Sequence, residues 1–278
     1  MFPSKMTPAL LPAHIRARGS IHAEFARTGT RTSIASVHEA GGLRLRFPRV
    51  AGGCEAVIVN TGGGIAGGDS QTLSFAAAEG AAVAITTQSA EKIYRAQDGT
   101  PAKVHVSLRL ARGGRIEWLP QETILFDQAR LTRRLDADLA PDAVLTLVES
   151  VIFGRLAMGE SSVGGLFRDR WRVRRGGALA FAEDLKLEGA QGEILDRPAL
   201  GKGARACATL LHMAADAEAR LDAVRAVLAT QDCEAGASAW DGKLVVRAVS
   251  PSPERLRAAI MAATSVLRGR DAPRVWQM

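Results

Sequence analysis

Apolar and polar residues alternate at every second position over much of the chain, from about Ser20 as far as Gly189. The clearest case is KVHVSLRL at 103–110. Its even-numbered positions, beginning with Val104, are apolar, and its odd-numbered positions, beginning with Lys103, are polar. A two-residue period places the apolar side chains on one face of a strand, and here it predicts a half-exposed antiparallel strand. Repeated segments of this kind, separated by glycine-containing turns, predict a mainly β fold.

The period of the pattern changes near the C-terminus. Apolar residues recur at helical spacing over 216–229, where Asp216 is the predicted N-cap, and again over 253–268. The segment 243–249 between them alternates and predicts a strand. The tail APRVWQM contains a tryptophan, Trp276, which we expect to pack against the body of the protein.

Between two strand-like segments lies a glycine-dense corner whose only charge is Asp69. Its glycines are Gly62, Gly63, Gly64, Gly67 and Gly68. Glycine loses packing and more entropy on folding, so this density predicts positive φ angles or close approach of the backbone to other groups. The spacing satisfies G-x-G-x-x-G, but a strand period follows Asp69, so no helix N-terminus faces a phosphate. A structural corner is the favoured interpretation, and a small-molecule or nucleotide-binding enzyme using Gly62–Asp69 is the alternative.

The net charge of +7 favours acidic partners. The basic residues are spread along the whole chain and aromatic residues are few, so the composition does not indicate a nucleic-acid partner. One concentration of charge is the strand pattern FRDRWRVRR at 167–175. Four of its arginines fall on alternate positions and therefore on one face of the strand: Arg168, Arg170, Arg172 and Arg174. They form either a solvated sheet edge or a docking face for an acidic partner, and a nucleic-acid surface would show a steep salt dependence.

Three cysteines lie far apart, at Cys54, Cys207 and Cys233, without a C-x-x-C pair. This spacing predicts a reducing compartment and neither a disulfide framework nor a structural zinc site. The sequence shows no signal-peptide core and no apolar run long enough to cross a membrane, so we expect a cytoplasmic protein. Residues 1–18 are predicted to form a flexible leader, and 19–278 a single domain.

Several segments together resemble the urease accessory protein UreD family, also called UreH. They are NTGGGIAGGD, TTQSAEKIYR, EWLPQETILFDQAR, APDAVL, GRLAMGE and the terminal PRVW. The resemblance extends from about residue 19 to the end of the chain, in the order and spacing of the family. It implies a β-solenoid, a helix-like stack of short strands, with two α-helices towards the C-terminus. It also implies structural roles for the corner glycines and for Lys92, Tyr94 and Arg95.

The resemblance further implies a function without catalysis. A member of this family acts as a chaperone or scaffold that binds UreF, and through it the GTPase UreG, docks on the urease apoprotein and helps nickel to reach the urease active site. No nucleic acid and no membrane take part. No cofactor is expected to be tightly bound, although Ni²⁺ can bind transiently.

A conduit for nickel needs weak, successive ligands that release the ion, and carboxylate oxygens would serve. Glu149 is the first candidate because it lies inside the apolar strand 143–152, where a charge is costly unless it is paired or binds a cation. The full set of predicted ligands is Asp69, Glu149, Glu160 and Glu122. Structural pairing with Arg155, Arg95 or Lys92 explains the same residues, so both interpretations stay open.

Overall fold

The computed structural model describes residues 16–50, 53–160 and 163–277, and within them the chain is mainly β, as predicted. The strands are β1 Arg18–Thr28, β2 Arg31–Ala40, β3 Leu43–Arg46, β4 Glu55–Asn60, β5 Ser70–Ala77, β6 Ala82–Thr87, β7 Glu91–Ile93, β8 Ala102–Leu110, β9 Arg115–Leu119, β10 Thr123–Leu125, β11 Ala129–Leu139, β12 Val144–Phe153, β13 Gly164–Arg175, β14 Ala178–Ala190, β15 Ala206–Met213, β16 Glu234–Trp240 and β17 Lys243–Ser250. The helices are α1 Gln191–Asp196, α2 Leu221–Leu228 and α3 Pro253–Arg268.

Two sheets share these strands, and the middle of the chain alternates between them. The seven-stranded sheet has the order β14-β13-β11-β8-β5-β1-β2, and the ten-stranded sheet contains β16-β17-β15-β12-β9-β6-β4-β3. Between β4 and β13 successive long strands pass from one sheet to the other, and each pairs in parallel with the equivalent strand of the next coil. This stack of parallel coils confirms the predicted β-solenoid. Antiparallel strands close both ends of each sheet.

Two details of the strand predictions were wrong. The strand at 102–110, β8, pairs in parallel with both β5 and β11 rather than antiparallel. The alternation correctly showed one buried face, but a period of two does not encode the direction of the neighbouring strands. The arginine-rich strand β13 has β11 on one side and β14 on the other, so it is not a sheet edge.

The core has two layers, one on each face of the ten-stranded sheet. The inter-sheet layer lies between the two sheets and contains large side chains such as Phe75, Trp118 and Trp171. The sheet–helix layer lies between the ten-stranded sheet and the helices α2 and α3, where Leu210 packs with Ile260. Because β12 faces a core layer on both sides, nearly all of its residues are buried, which explains its continuous apolar pattern.

Both helices predicted near the C-terminus are confirmed, with one correction. Helix α3 has the predicted bounds, with Pro253 in its first turn and the Ser252 hydroxyl accepting a hydrogen bond from the Arg255 amide. Helix α2 begins only at Leu221, after a 3₁₀ turn, and Asp216 does not cap it but pairs with Arg220. The short helix α1 was not predicted, since six residues carry too little periodicity.

The C-terminal tryptophan is buried, as predicted. Trp276 is 3% exposed, and its Nε1 donates to the Thr86 hydroxyl and to the Leu119 carbonyl, both at 3.0 Å. The predicted leader at 1–18 falls largely on residues 1–15, which lie outside the described residues, and β1 already begins at Arg18, so the domain division stays a prediction. None of the described helices combines the length and the apolar character that a membrane span requires.

Candidate functional site

The glycine corner joins β4 to β5 and is packed too closely for side chains. Gly63 and Gly68 have φ angles of +74° and +84°, which L-residues with side chains rarely adopt. A Cβ at Gly64 would lie 2.5 Å from the Tyr94 ring and 2.8 Å from the Lys92 carbonyl oxygen. The Tyr94 hydroxyl donates to the Gly63 carbonyl at 2.9 Å, which fixes the ring over the corner.

The arrangement of the corner is unfavourable for a phosphate. The element that follows it is the strand β5, so no helix N-terminus is present there. Both carboxylate oxygens of Asp69 are already used, because one accepts from the Ala17 amide at 2.7 Å and the other from the Ala66 amide at 2.8 Å. A negative charge thus occupies the amides that an anion would need. The structure supports the structural interpretation of this corner.

Three cavities follow one another from the corner into the inter-sheet layer. The corner cavity, about 190 Å³, is lined by Asp69, Tyr94 and Gln71. The central cavity, about 50 Å³, shares Ile65 and Gln71 with the corner cavity. The distal cavity, about 240 Å³, lies beyond the central cavity and shares two lining residues with it.

The central and distal cavities meet at a pair of charged residues. Both are lined by Arg133 and Glu149. The rest of the distal cavity is largely apolar, with side chains such as Phe167 and Leu187 from the seven-stranded sheet. We call the series of three cavities the interior passage.

Carboxylates line every part of the interior passage. Asp69 lies in the corner cavity and Glu91 in the central cavity, where the Asn60 amide donates to both carboxylate oxygens of Glu91 at 3.1 Å. Burial raises the pKa of Glu91 above its usual value despite these hydrogen bonds. Asn60 lines the corner cavity, so this contact links the first two cavities.

A charged cluster marks the junction of the central and distal cavities. The Arg133 guanidinium contacts Glu149 Oε2 and donates to Asp169 Oδ2 at 2.6 Å. Trp118 Nε1 donates to the other Glu149 oxygen at 2.9 Å, and Arg133 also donates to the Thr123 hydroxyl at 3.1 Å. Arg133, Glu149 and Asp169 are 4–5% exposed, so the cluster lies in a low-dielectric interior.

Burial changes the proton affinity of this cluster. Desolvation raises the pKa of Glu149 to about 7. The positive charge of Arg133 opposes this shift, and the negative charge of Asp169 adds to it. Burial also raises the pKa of Cys207, beside Asp169, to about 12. The thiol is therefore protonated at neutral pH and is a poor metal ligand there. Carboxylate oxygens are the groups of the cluster that could contact a cation.

The other two predicted ligands lie outside the interior passage. Glu122 is 8% exposed and accepts two hydrogen bonds from Arg257 of α3, at 2.7 and 2.8 Å. Glu160 lies in a surface loop and pairs with Arg155, whose hydrogen bonds hold the pKa of Glu160 below its usual range. For Glu160 the structure shows the predicted pairing with Arg155. A nickel-binding role for either residue stays a prediction.

The remaining structural predictions concern Lys92 and Arg95. Lys92 acts through its backbone, since its carbonyl accepts from the Ile65 amide at 2.8 Å. Arg95 pairs with Asp127 at 2.8 Å, and not with one of the predicted metal ligands. Both residues therefore help to hold the loops around the corner cavity.

Sequence reasoning missed three residues of the interior passage. Glu91 lies within the motif TTQSAEKIYR but was not singled out, and Arg133 and Asp169 lie in strands rich in charge. The alternation along each strand was the available signal. Arg133 lies on the buried face of β11 with Leu135, and Asp169 lies on the buried face of β13 with Trp171. A charged residue at a position where the alternation predicts a buried apolar side chain indicates a possible site, just as Glu149 does inside its apolar segment.

Two further observations concern other possible sites. The described parts of the chain contain no group of three or more His, Cys, Asp or Glu side chains arranged to hold a metal ion. A cavity of about 320 Å³ near Cys233 shares Val249 with the distal cavity, and two of its charged groups, Asp232 and Arg255, pair with each other at 2.7 Å. The pairing of these charges leaves the interior passage as the stronger candidate site.

The fold and the site thus define a two-sheet β-solenoid with buried carboxylates along an interior series of cavities. The family model described as UreD urease accessory protein matches residues 17–277. The chain belongs to this family.

Curated relatives agree along nearly the full length. The chain is 48% identical to urease accessory protein UreD 2 of Methylorubrum populi over 279 residues, which is 98% of this chain and 94% of the relative. It is 50% identical over 263 residues to urease accessory protein UreD of Beijerinckia indica, covering 94% and 97% of the two chains. It is 44% identical over 268 residues to that of Azorhizobium caulinodans, covering 96% and 98%.

Proposed function

We propose that this protein is a non-catalytic chaperone of urease maturation that works in the cytoplasm. In this role it binds UreF, and through UreF the GTPase UreG, docks on the urease apoprotein and assists the delivery of nickel to the urease active site. Membership of the UreD family supports the link to urease. The observation that carries the proposal for this chain is Glu149, a buried carboxylate between two cavities.

Nickel is the cargo in this proposal, and the interior passage is its route. A cation that leaves water needs compensating charge at each step, and the carboxylates of Asp69, Glu91, Glu149 and Asp169 supply it in that order. Oxygen ligands hold Ni²⁺ less tightly than imidazole or thiolate ligands do, so the ion can leave each position. Successive weak binding is what conduction requires.

Glu149 is the central step of this route because it lines both the central and the distal cavity. Trp118 orients one of its oxygens, and Arg133 contacts the other. A neutral amide in its place keeps the volume but removes the charge that would compensate a cation. The route should then fail at this point while the sheets remain assembled.

The test uses co-expression of this chain with UreF, UreG and urease, followed by size-exclusion chromatography and metal analysis. Glu149→Gln is expected to form the complex and to lower the nickel content of the matured urease at least tenfold. Glu79→Gln is the matched control, since it changes the same group in an exposed turn outside the interior passage and should leave nickel loading near the wild-type level. Full nickel loading with Glu149→Gln would refute the proposed route, and absence of a complex with UreF would refute the proposed role.

Partner docking is proposed for the arginine face of β13. Arg168 is partly neutralised, because it donates to both Asp184 oxygens at 3.0 and 2.9 Å, and Arg172 donates to the Trp171 and Glu183 carbonyls. Arg170 and Arg174 have no such contact within the described residues and remain available to an acidic surface.

The docking proposal predicts that Arg170→Glu and Arg174→Glu each slow association with the acidic partner about tenfold at low salt, as measured by surface plasmon resonance. Arg31→Glu, exposed on β2 at the opposite edge of the seven-stranded sheet, is the matched change of charge away from β13 and should have a smaller effect. Equal slowing of association in all three variants would mean that net charge, and not docking at β13, determines the association rate. No observation favours the nucleotide-binding alternative.

A further inference from the structure

The Arg133 side chain occupies an unusual position between two carboxylates of different strands. Arg133 on β11 and Asp169 on β13 belong to the seven-stranded sheet, whereas Glu149 on β12 belongs to the ten-stranded sheet. The guanidinium therefore bridges the two sheets at the junction of the central and distal cavities. It fills the space through which a cation in the interior passage would have to move.

One oxygen of this cluster has no partner. Asp169 is 5% exposed and lines the distal cavity, and its Oδ1 is buried without a hydrogen-bond partner among the described residues. Its Oδ2 is the atom that binds Arg133. A buried acceptor without a partner is costly, and in native proteins it usually marks a bound water, an ion or a functional role.

The charges of the cluster also do not balance when both acids are ionised. Two carboxylates then face one guanidinium, so one negative charge remains, whereas a divalent cation would neutralise the two acids completely. A guanidinium and a divalent cation repel each other strongly at short distance in a buried site. The two cations therefore exclude each other from the space between Glu149 and Asp169.

We propose that Arg133 is the resident counter-ion of a divalent-cation site formed by Glu149 and Asp169, and that a metal ion enters this site only when the guanidinium moves away. The role of this site in nickel transfer rests on the proposed function, but the binding of a divalent cation to the site can be tested on this chain alone. Arg133 thereby acts as a gate in the interior passage, and it keeps the site closed when no cation arrives.

The structure offers the guanidinium a place to move to. Its Cζ lies 5.9 Å from the centroid of the Phe167 ring, which also lines the distal cavity. A cation close to an aromatic face is stabilised by the ring quadrupole. The distal cavity of about 240 Å³ provides the room for this movement, and the unpartnered Asp169 Oδ1 provides the first contact for an entering metal ion.

The test is the variant Arg133→Met in the purified full-length chain. Ni²⁺ binding is measured by isothermal titration calorimetry, and Mn²⁺ binding by electron paramagnetic resonance. Removing the guanidinium leaves two buried carboxylates, so Ni²⁺ affinity is expected to rise at least tenfold over the wild type, with a rise in melting temperature when the metal is added. Adding Asp169→Asn and Glu149→Gln to Arg133→Met should remove the gain.

A matched control is Arg134→Met, which removes the same charge from the next residue of β11. Arg134 is exposed and pairs with Asp136 on the outer face of the sheet, so its loss should leave Ni²⁺ affinity within twofold of the wild type. A folded Arg133→Met protein with wild-type Ni²⁺ affinity would overturn the proposal. A gain of equal size in Arg134→Met would overturn it as well, since the effect would then follow net charge alone.

A second measurement covers the case in which Arg133→Met does not fold without metal. Refolding yield is then compared with and without Ni²⁺: recovery by the metal supports the site, and failure to recover overturns it. Arg133→Lys keeps the positive charge and is expected to fold and to retain low Ni²⁺ affinity. These readouts differ from the nickel content of urease in Glu149→Gln, so the gate and the proposed route can fail independently.

Discussion

Both layers of the core contain buried carboxylates, but the two layers treat them differently. In the sheet–helix layer, Glu117 accepts from Arg268 at 2.9 Å and from Arg270 at 3.0 Å. In the inter-sheet layer, Asp169 keeps an unpartnered oxygen, and cavities lie on both sides of its neighbour Glu149. Burial alone therefore does not distinguish the acids of the two layers; the cavities beside the acids of the inter-sheet layer do.

The arginines of the sheet–helix layer come from the end of the chain. Arg257 and Arg268 belong to α3, and Arg270 follows it, so this helix closes the acids of the ten-stranded sheet against solvent. Arg257 also donates to the Trp276 carbonyl at 2.7 Å and lies 5.1 Å from the centre of the Trp276 ring. We interpret the sheet–helix layer as a rigid support and the inter-sheet layer as the part open to a cargo.

The largest expected effect tests the rigid support. Trp276→Ala removes a buried ring and leaves the Thr86 hydroxyl without the indole donor, so we expect a loss of about 3–5 kcal/mol in the free energy of unfolding. The measurement is urea denaturation followed by circular dichroism. Trp240→Ala is the control, because this ring is 43% exposed and should cost far less. Equal losses would show that the C-terminal turn does not support the layer.

A somewhat smaller effect tests the pairing of Glu122. Arg257→Met leaves a buried carboxylate without its cation, and we expect a loss of about 3 kcal/mol in the free energy of unfolding. Glu122→Gln combined with Arg257→Met should recover part of this loss in a double-mutant cycle. A Ni²⁺ titration gives the contrast with Arg133: Arg257→Met should gain no metal affinity, because Glu122 lines none of the three cavities. A gain would remove the distinction between the layers.

The third prediction concerns the pH dependence that Glu149 gives to the inter-sheet layer. Its pKa is about 7 in the folded protein and near 4.5 when exposed, so the folded state binds the proton more tightly over this interval. The wild type should therefore lose up to about 3 kcal/mol of stability relative to Glu149→Gln as the pH rises from 4.5 to 7, and no more above it. Urea denaturation at several pH values provides the measurement. A constant difference would mean that Arg133 keeps Glu149 ionised throughout.

These two layers also show what sequence patterns could and could not predict. The strand at 103–110 and the helix at 253–268 follow from period alone, and Glu149 was found because its strand is apolar on both faces. Asp169 was missed because the outward arginines of its strand concealed one inward charge. The pairing of Glu122 was out of reach, since its partner Arg257 lies 135 residues further along the chain and only the packing of α3 joins them.

Strand direction was equally out of reach, and it matters for the site. Parallel coils place Arg133, Glu149 and Asp169 on three successive strands that alternate between the sheets, so their side chains meet in the space between them. An antiparallel meander with the same alternation would have placed neighbouring strands in one sheet. The resemblance to UreD indicated the stacked arrangement, whereas the period of two did not.

The last prediction, similar in size to that for Glu149, concerns His212, the counterpart of Glu149 in the sheet–helix layer. His212 is 2% exposed, and its Nδ1 shares a hydrogen bond of 2.9 Å with the Thr146 hydroxyl, while Nε2 has no partner among the described side chains. Burial lowers the pKa of His212 to about 4, from 6.5 for an exposed histidine. Between pH 6.5 and 4 the imidazole of His212 is protonated in the unfolded chain but neutral in the folded protein. His212 therefore destabilises the folded state increasingly as the pH falls from 6.5 to 4.

This slope is opposite in sign to that of Glu149 over nearly the same interval. We expect the wild type to lose up to about 3 kcal/mol relative to His212→Asn on acidification through this range, with the difference fully restored above pH 6.5. Urea denaturation of the wild type, His212→Asn, Glu149→Gln and the double variant separates the two contributions, which should add because the side chains lie on opposite faces of the ten-stranded sheet. Strong coupling between them would contradict the independence of the two layers.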